Sequence, residues 1–177
     1  MKIGVISDTH ISGGSFHPKK LASRVINKVT GDAKWLSDLV RPHFSDVDMI
    51  IHAGDFVSSV VVTALEEFGP VEGVSGNMDP GEIRSIFPAK KVIKAGDYRI
   101  GIMHGFGAPS GLAGKVRREF EDVDIIVFGH SHYPTAEEVD GVLMFNPGSP
   151  TDQRWAPSKS IGIIELGDEI KTRHIPL

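Results

Sequence analysis

The chain contains no cysteine. That excludes disulfides, a Cys-based zinc knuckle, an iron–sulfur site and a thiol nucleophile, and it suits a reducing compartment. Long hydrophobic runs are also missing: nothing approaches the roughly 18 apolar residues of a membrane span. The opening "MKIGVISD" reaches Asp8 too soon to read as a signal peptide. Nor is there a long basic run. "KVRREF" (115–120) reads as the solvated face of a helix, and the formal net charge of −4 argues against a surface built to grip nucleic-acid phosphates. These absences predict a soluble cytoplasmic protein with neither membrane nor nucleic acid as partner. Oligomeric state stays open, a homo-oligomer included.

What is present is a chain of 177 residues with eight histidines against two tyrosines. At this length folding buries roughly 70% of the extended chain's surface, enough for a core without staples. No repeat, low-complexity tract or linker divides it, so a single domain over 1–177 is expected. In the first half short apolar runs alternate with amphipathic stretches. "KIGVIS" (2–7), "VDMIIHA" (47–53) and "VEGVS" (71–75) read as strands. Helical patterns run from Pro18 to about Phe44, with a break and a candidate N-cap, Asp32, in "TGDA" (30–33), and again over 58–69. The second half favours hairpins: 90–104, 135–146 and 160–175 each carry a Gly-Asp or Asp-Gly turn, with a helix at 110–122 and a buried strand at 124–129. The expected fold is α/β, a four-layer sandwich of two mixed β-sheets flanked by helices.

Chemistry concentrates where the apolar runs stop. They lead into Asp8-Thr9-His10, Gly54-Asp55, Gly76-Asn77-Met78-Asp79, His104-Gly105 and Gly129-His130-Ser131-His132. In open α/β sheets the carboxyl ends of strands form the rim where ligands bind. Extended backbone turns residues i and i+2 to one side, so Asp8 with His10, and His130 with His132, are expected to act as two-toothed clamps. The glycines let backbone pass close to a crowded centre. A lone Asp or His after a strand is more often a cap or a satisfied hydrogen-bonding group than a ligand. Five such ends together are another matter, because burying that many ionisable groups without a counter-ion is costly.

Imidazole and carboxylate suit zinc, manganese, iron or nickel better than calcium. Asp8, His10, Asp55, Asn77, His104, His130 and His132 are too many ligands for one ion with an open position. If one carboxylate bridges, they serve two ions. A pair about 3.5–4 Å apart generates hydroxide near neutral pH and clamps the oxygens of an in-line displacement at phosphorus. The residues therefore point to a dinuclear metallohydrolase acting on a small phosphate ester.

In their order, "DTH", "GD", "GNMD", "HG" and "GHSH", these motifs resemble the calcineurin-like metallophosphoesterases, over about residues 1–150. The short length without a cap domain and "NPGS" (146–149) are most similar to the small YfcE-type phosphodiesterase branch, which includes the retromer subunit of this fold. The resemblance implies that Asp8, His10, Asp55 and His132 hold one ion and Asp55, Asn77, His104 and His130 the other, with Asp55 bridging. It also implies a metal-bridging hydroxide as nucleophile, with Asp55, Asn77 and His104 counted as catalytic, and manganese, iron, zinc or nickel as the metals.

Two departures stand out. Met78 occupies the place where many members carry a histidine thought to protonate the leaving group. A thioether can only accept, and general-acid help is typically worth about 10²–10⁴-fold. The chain is therefore expected to prefer good leaving groups, with His17 as the substitute donor to test. The stretch from Ser12 to Val47 is longer than the small branch needs; an extra surface helix is the expected reading, a roof over the site the other. Arg154 is a candidate for substrate phosphate, since Arg suits bidentate recognition. His52 is expected to be a hydrogen-bonded core residue, Asp79 a turn former or an orienting group, and His43 and His174 surface residues. Beside the phosphodiesterase or phosphatase stands a rival reading, a non-catalytic metal-binding scaffold for protein partners. A nuclease ranks third.

Overall fold

A computed structural model describes the backbone of residues 1–12 and 24–177, and the side chains of 1–12 and 34–177. The first half comprises β1 (Lys2–Ile6), α1 (Arg24–Phe44), β2 (Met49–His52), α2 (Val60–Glu66), β3 (Val71–Gly73) and α3 (Gly81–Ile86). The second comprises β4 (Lys90–Ala95), β5 (Tyr98–Met103), α4 (Leu112–Arg117), β6 (Ile125–Phe128), β7 (Thr135–Val139), β8 (Val142–Asn146), β9 (Ser160–Leu166) and β10 (Ile170–Pro176). The strands form two five-stranded mixed sheets, ordered β10-β9-β1-β2-β3 and β4-β5-β6-β8-β7. Parallel pairs join β1–β2–β3, which run out to the β3 edge of the first sheet, and β5–β6–β8 at the centre of the second. The hairpin strands pair antiparallel at the flanks.

Period-two alternation builds three hydrophobic layers from these strands. Ile3 and Val5 of β1, Ile51 of β2, Ile100 and Ile102 of β5, and Ile125 and Val127 of β6 face one another between the sheets. The alternate residues Ile6 and Ile50 face the helices instead, packing with Leu36, Val40 and Phe44 of α1 and Leu65 of α2. On the far side, Ile126 and Phe128 pack on Leu112 and Val116 of α4. Leu36, Val40 and Phe44 recur every four residues and are fully buried, each worth about 1.5–3 kcal/mol over an exposed position. Helix α1 thus closes one face of the sandwich rather than decorating its surface.

Two helical readings need correction. α1 runs unbroken through Thr30–Ala33, so Asp32 caps nothing. The β-branched Thr30 and the Gly31 that follows it disfavour a helix only weakly, and the burial of α1's apolar stripe outweighs them. Helix α3 was hidden by the turn residues Pro80 and Gly81, which form its start. His17 and the rest of residues 13–23, the part of the Ser12–Val47 stretch next to the first clamp, lie outside the described residues.

Candidate metal centre

All the parallel central strands end on one rim, and the backbone continues their pairing into the site. Ala53 N–H donates to Ile6 O, Asp8 N–H to Gly54 O, His10 N–H to Asp55 O and Gly129 N–H to His104 O, at 2.9–3.1 Å. The expected extended clamps are not what forms here. Asp8, His10, Asp55, His130 and His132 all have positive φ, between 46° and 70°, and make up five of the nine such non-glycine residues among those described. The strands have already ended, and the left-handed backbone re-aims each side chain. Such conformations cost about 1–3 kcal/mol each and persist where surroundings over-determine them.

As a result the two i, i+2 pairs behave differently. Asp8 and His10 converge, with His10 Nε2 3.8 Å from Asp8 Oδ1. His130 and His132 diverge. His132 Nε2 lies 3.2 Å from Asp8 Oδ1 and 3.2 Å from His10 Nε2, whereas His130 Nδ1 lies 3.1 Å from Asn77 Oδ1. Between these groups sit Asp55 and His104: His104 Nε2 is 3.3 Å from Asp55 Oδ2 and 3.9 Å from Asp8 Oδ1, and His10 Nε2 is 3.7 Å from Asp55 Oδ2. Asp8, His10 and His132 form one cluster of potential ligand atoms, and Asp8, Asp55 and His104 a second. Asn77 and His130 border it, the His130 ring edge-on to His104 at 5.2 Å.

The hydrogen bonds around the imidazoles decide what they present. A carbonyl only accepts, so a ring nitrogen bonded to one carries the proton. His104 Nδ1–H donates to Ala53 O at 2.8 Å, His132 Nδ1–H to Asp152 O at 3.0 Å and His130 Nε2–H to Gly107 O at 2.8 Å. In the neutral rings the opposite nitrogen then turns a lone pair inward, toward carboxylate or amide oxygens that are themselves acceptors. His104 Nε2 is buried with no hydrogen-bond partner. Acceptors facing acceptors in a buried site need a proton or a cation between them, and a second nitrogen pinned by a backbone carbonyl is the usual arrangement around metal-bound histidine. The donor set fits divalent transition metals.

The acidic groups are held as firmly. Burial opposes ionisation of Asp8, but His132, His104 and Ser7 outweigh it and its pKa is lowered. Asp55 behaves alike: burial is outweighed by His104 and by the Met78 N–H, 2.7 Å from its Oδ1. Burial depresses the His104 pKa, yet Asp55 and Asp8 raise it overall. The site is thus a set of fixed anions waiting for positive charge. Glycines allow the crowding: a Cβ on Gly76 would lie 2.2 Å from Asp55 Oδ1, and one on Gly54, at φ 94°, 2.7 Å from His104 Nδ1.

Of the supports around these groups, Asp79 was expected from sequence as a turn former or an orienting group, and the others were not. The buried Asp79 carboxylate accepts from the N–H groups of Asp55, Val57 and Gly76 at 2.7–3.0 Å. Arg84 then ties down the turn through the carbonyls of Asp79, Gly76 and Asn77. Asp79 therefore orients backbone and stabilises the turn at once. Ser149 and Thr151 hydroxyls donate to Asp8 O, and Asn146 Nδ2 to Gly129 O, so "NPGS" braces both rims. Residue type flagged Asp79 among these; contacts through carbonyls such as Asp152 O leave no mark in sequence.

Arg154 lies at the edge of the cluster, its guanidinium donating to His130 O and Asp152 Oδ2, each at 3.3 Å. Met78 is 58% exposed and offers the site only its backbone N–H. His52 is a buried core residue, as expected: its Nδ1 accepts from Gly54 N–H, its Nε2 meets Thr9 Oγ1, and it stacks on Phe56. His174 departs from the surface reading. It stacks on Phe145 and donates to Asn146 O at 2.8 Å.

A family model described as the calcineurin-like phosphoesterase superfamily domain matches residues 1–169. The chain is 33% identical to a probable metallophosphoesterase of Methanocaldococcus jannaschii, over all of this chain and 82% of that one. Among solved structures it is similar to an archaeal phosphodiesterase (TM-score 0.68, 24% identity, 100% of both chains). It is also similar to zinc-complexed Vps29 of Entamoeba histolytica (TM-score 0.63, 24% identity, 99% of both chains). At these identities the two structural likenesses establish the fold.

Proposed function

The chain belongs to the calcineurin-like phosphoesterase superfamily, and from that membership and the site's geometry we propose a two-metal phosphodiesterase acting on a small phosphate ester. The observation that carries the proposal is the trio of histidines whose protons are pinned to backbone carbonyls while their free nitrogens face Asp8, Asp55 and Asn77. Asp8, His10, Asp55 and His132 would hold one divalent ion, and Asp55, Asn77, His104 and His130 the other, with manganese the first metal to test. When bound, the ions supply hydroxide near neutral pH and neutralise charge developing at phosphorus.

The chain's own residues set what surrounds that chemistry. Asp55, gripped by the Met78 N–H on one oxygen, keeps the other toward His104 and His10. Arg154 is placed to pair with a non-bridging phosphate oxygen if its guanidinium turns from Asp152. Met78 supplies no proton, so esters of acidic alcohols, whose oxyanions leave unaided, should react best.

The test is hydrolysis of an aryl phosphodiester and the matching monoester by manganese-reconstituted protein, beside Asp55→Ala and His130→Ala. The proposal expects turnover in the parent, preference for the diester, and its loss in both variants. Two bound ions without turnover above the variants would favour a second reading, a metal-binding scaffold. The exposed, proton-free Met78 and the fold shared with Vps29 support that alternative.

A further inference from the structure

Beside the cluster, on the outer face of the second sheet, a groove of about 530 Å³ opens between the start of α4 and strand β7. Its volume falls in the roughly 300–1,000 Å³ range of small-molecule sites. Pro109, Leu112, Phe128, Tyr133, Val139 and Trp155 give it a mainly apolar wall. Glu137 is the one charged residue among its described lining.

Three loops form both this wall and the supports of the metal cluster. The loop after β5 gives the Gly107 carbonyl to His130 and, two residues on, Pro109 to the groove. The loop after β6 carries His130 and His132 inward and presents Ser131 and Tyr133 to the groove. The loop after β8 gives the Asp152 carbonyl to His132, the Arg154 guanidinium to His130 O, and Trp155 to the groove. Groove and cluster are therefore built on the same three loops.

Exposed aromatic side chains concentrate here. Of the four among the described residues, Phe106, Tyr133 and Trp155 lie on these loops; only Trp35 is elsewhere. Trp155 is 80% exposed, a large apolar surface left in water. Contiguous apolar surface beside a polar site marks a place where something docks, and aromatic faces accept flat rings by stacking. Glu137 is the one charged side chain of the lining, and Arg117 stands beside it, donating to the carbonyl of Val139.

From this aromatic wall and the loops it shares with the cluster we infer that the groove seats a neutral flat ring, an aryl group or nucleobase, esterified to the phosphorus that the cluster holds. The inference rests on the phosphoesterase reading and specifies its substrate class. Tyr133 and Trp155 are then specificity-determining residues that never meet the metal ions.

Phenylphosphonate and methylphosphonate share a head group and differ in the ring, and thymidine monophosphate tests the nucleobase against the aryl source. Their affinities for manganese-loaded protein can be read from quenching of tryptophan emission and from competition with diester hydrolysis. Magnesium-loaded protein gives amide shifts at Tyr133 and Trp155. Phenylphosphonate or thymidine monophosphate should bind about tenfold tighter than methylphosphonate, the scale of one stacking contact. Whichever of the two does so names the source. Tyr133→Ala and Trp155→Ala should each erase most of that preference and leave methylphosphonate affinity unchanged. Equal affinity for all three in a protein that binds methylphosphonate and cleaves diesters would overturn the groove assignment and leave the phosphoesterase reading standing. A preference that survives both substitutions would also overturn it. So would shifts at these residues that depend on protein concentration alone, which would make the groove a contact between copies. Failure to bind any phosphonate would overturn both readings.

Discussion

The first sheet delivers oxygens to the rim and the second delivers nitrogens. Asp8, Asp55 and Asn77 follow β1, β2 and β3, whereas His104, His130 and His132 follow β5 and β6; His10 alone crosses the division. The two sides need opposite supports. A carboxylate is fixed by N–H and O–H donors, here Met78 N–H on Asp55, and Ser7 Oγ–H and His130 N–H on Asp8. An imidazole is fixed by an acceptor on its far nitrogen, here the carbonyls of Ala53, Gly107 and Asp152. Further side chains brace the oxygen side, Asp79 beneath the backbone of Asp55 and Ser149 and Thr151 beneath that of Asp8, against Asn146 on Gly129 O across the rim. Side-chain substitution should therefore undermine the oxygen side's supports more easily than the nitrogen side's.

The largest effect should come from Asp55→Ala, which removes the carboxylate proposed to join the two ligand sets. Manganese affinity and diester turnover should each fall by more than about 100-fold, beyond what loss of a supporting group costs. Isothermal titration and a chromogenic assay measure both. Asp79→Ala comes next: it leaves three backbone N–H groups without their acceptor, costing about 2–4 kcal/mol of stability. Metal affinity should drop about 10–100-fold with every ligand still present. An unchanged affinity in a folded Asp79→Ala protein would break the comparison at its strongest point.

Acid sensitivity probes the ground beneath the oxygen side. Burial pushes the His52 pKa down to about 3 from 6.5. Folded His52 stays neutral while the unfolded chain takes up a proton below pH 6.5, so its contribution to stability is present above that pH and lost as pH falls toward 3. The slope approaches about 1.4 kcal/mol per pH unit. Between pH 6 and 4, thermal midpoints of metal-free protein should fall more steeply for the parent than for His52→Gln; equal slopes would refute this. The smallest effect should be that of Asp152→Ala. His132 Nδ1–H donates to the Asp152 carbonyl, which alanine retains; the Asp152 carboxylate, 3.3 Å from the same nitrogen but half exposed and shared with Arg154, is the weaker partner. Manganese affinity should stay within about twofold of the parent; a drop like that of Asp79→Ala would mean that side chains brace both sides alike.

The layers of the sandwich were legible because alternation such as Ile3, Val5 and Ile51 against Ile6 and Ile50 is written directly in the strands. The seven candidate residues were legible as strand-end Asp, Asn and His, and the structure brings Asp8, His10, Asp55, His104 and His132 into two groups of potential ligands with Asn77 and His130 at their border. Their geometry was not. Extended backbone was expected for Asp8–His10 and His130–His132, but left-handed φ values split the second pair between Asp8 and Asn77. That choice is made by tertiary surroundings, such as the Asp8 carboxylate accepting from His130 N–H, and not by local sequence. Helix α1's continuity through Gly31 likewise depends on burial of residues farther along the helix. The carbonyl pins belong to Ala53, Gly107 and Asp152, whose identities carry no sign of the role.

The central claim is that the two sheets together hold two ions in distinct sets joined by Asp55. Manganese titration of metal-free protein, with bound metal counted by elemental analysis, tests it most directly. The account predicts two ions per chain in the parent and one in the doubly substituted Asn77→Ala, His130→Ala protein, whose Asp8, His10, Asp55 and His132 remain. A single ion in the parent, or two in the variant, would contradict it.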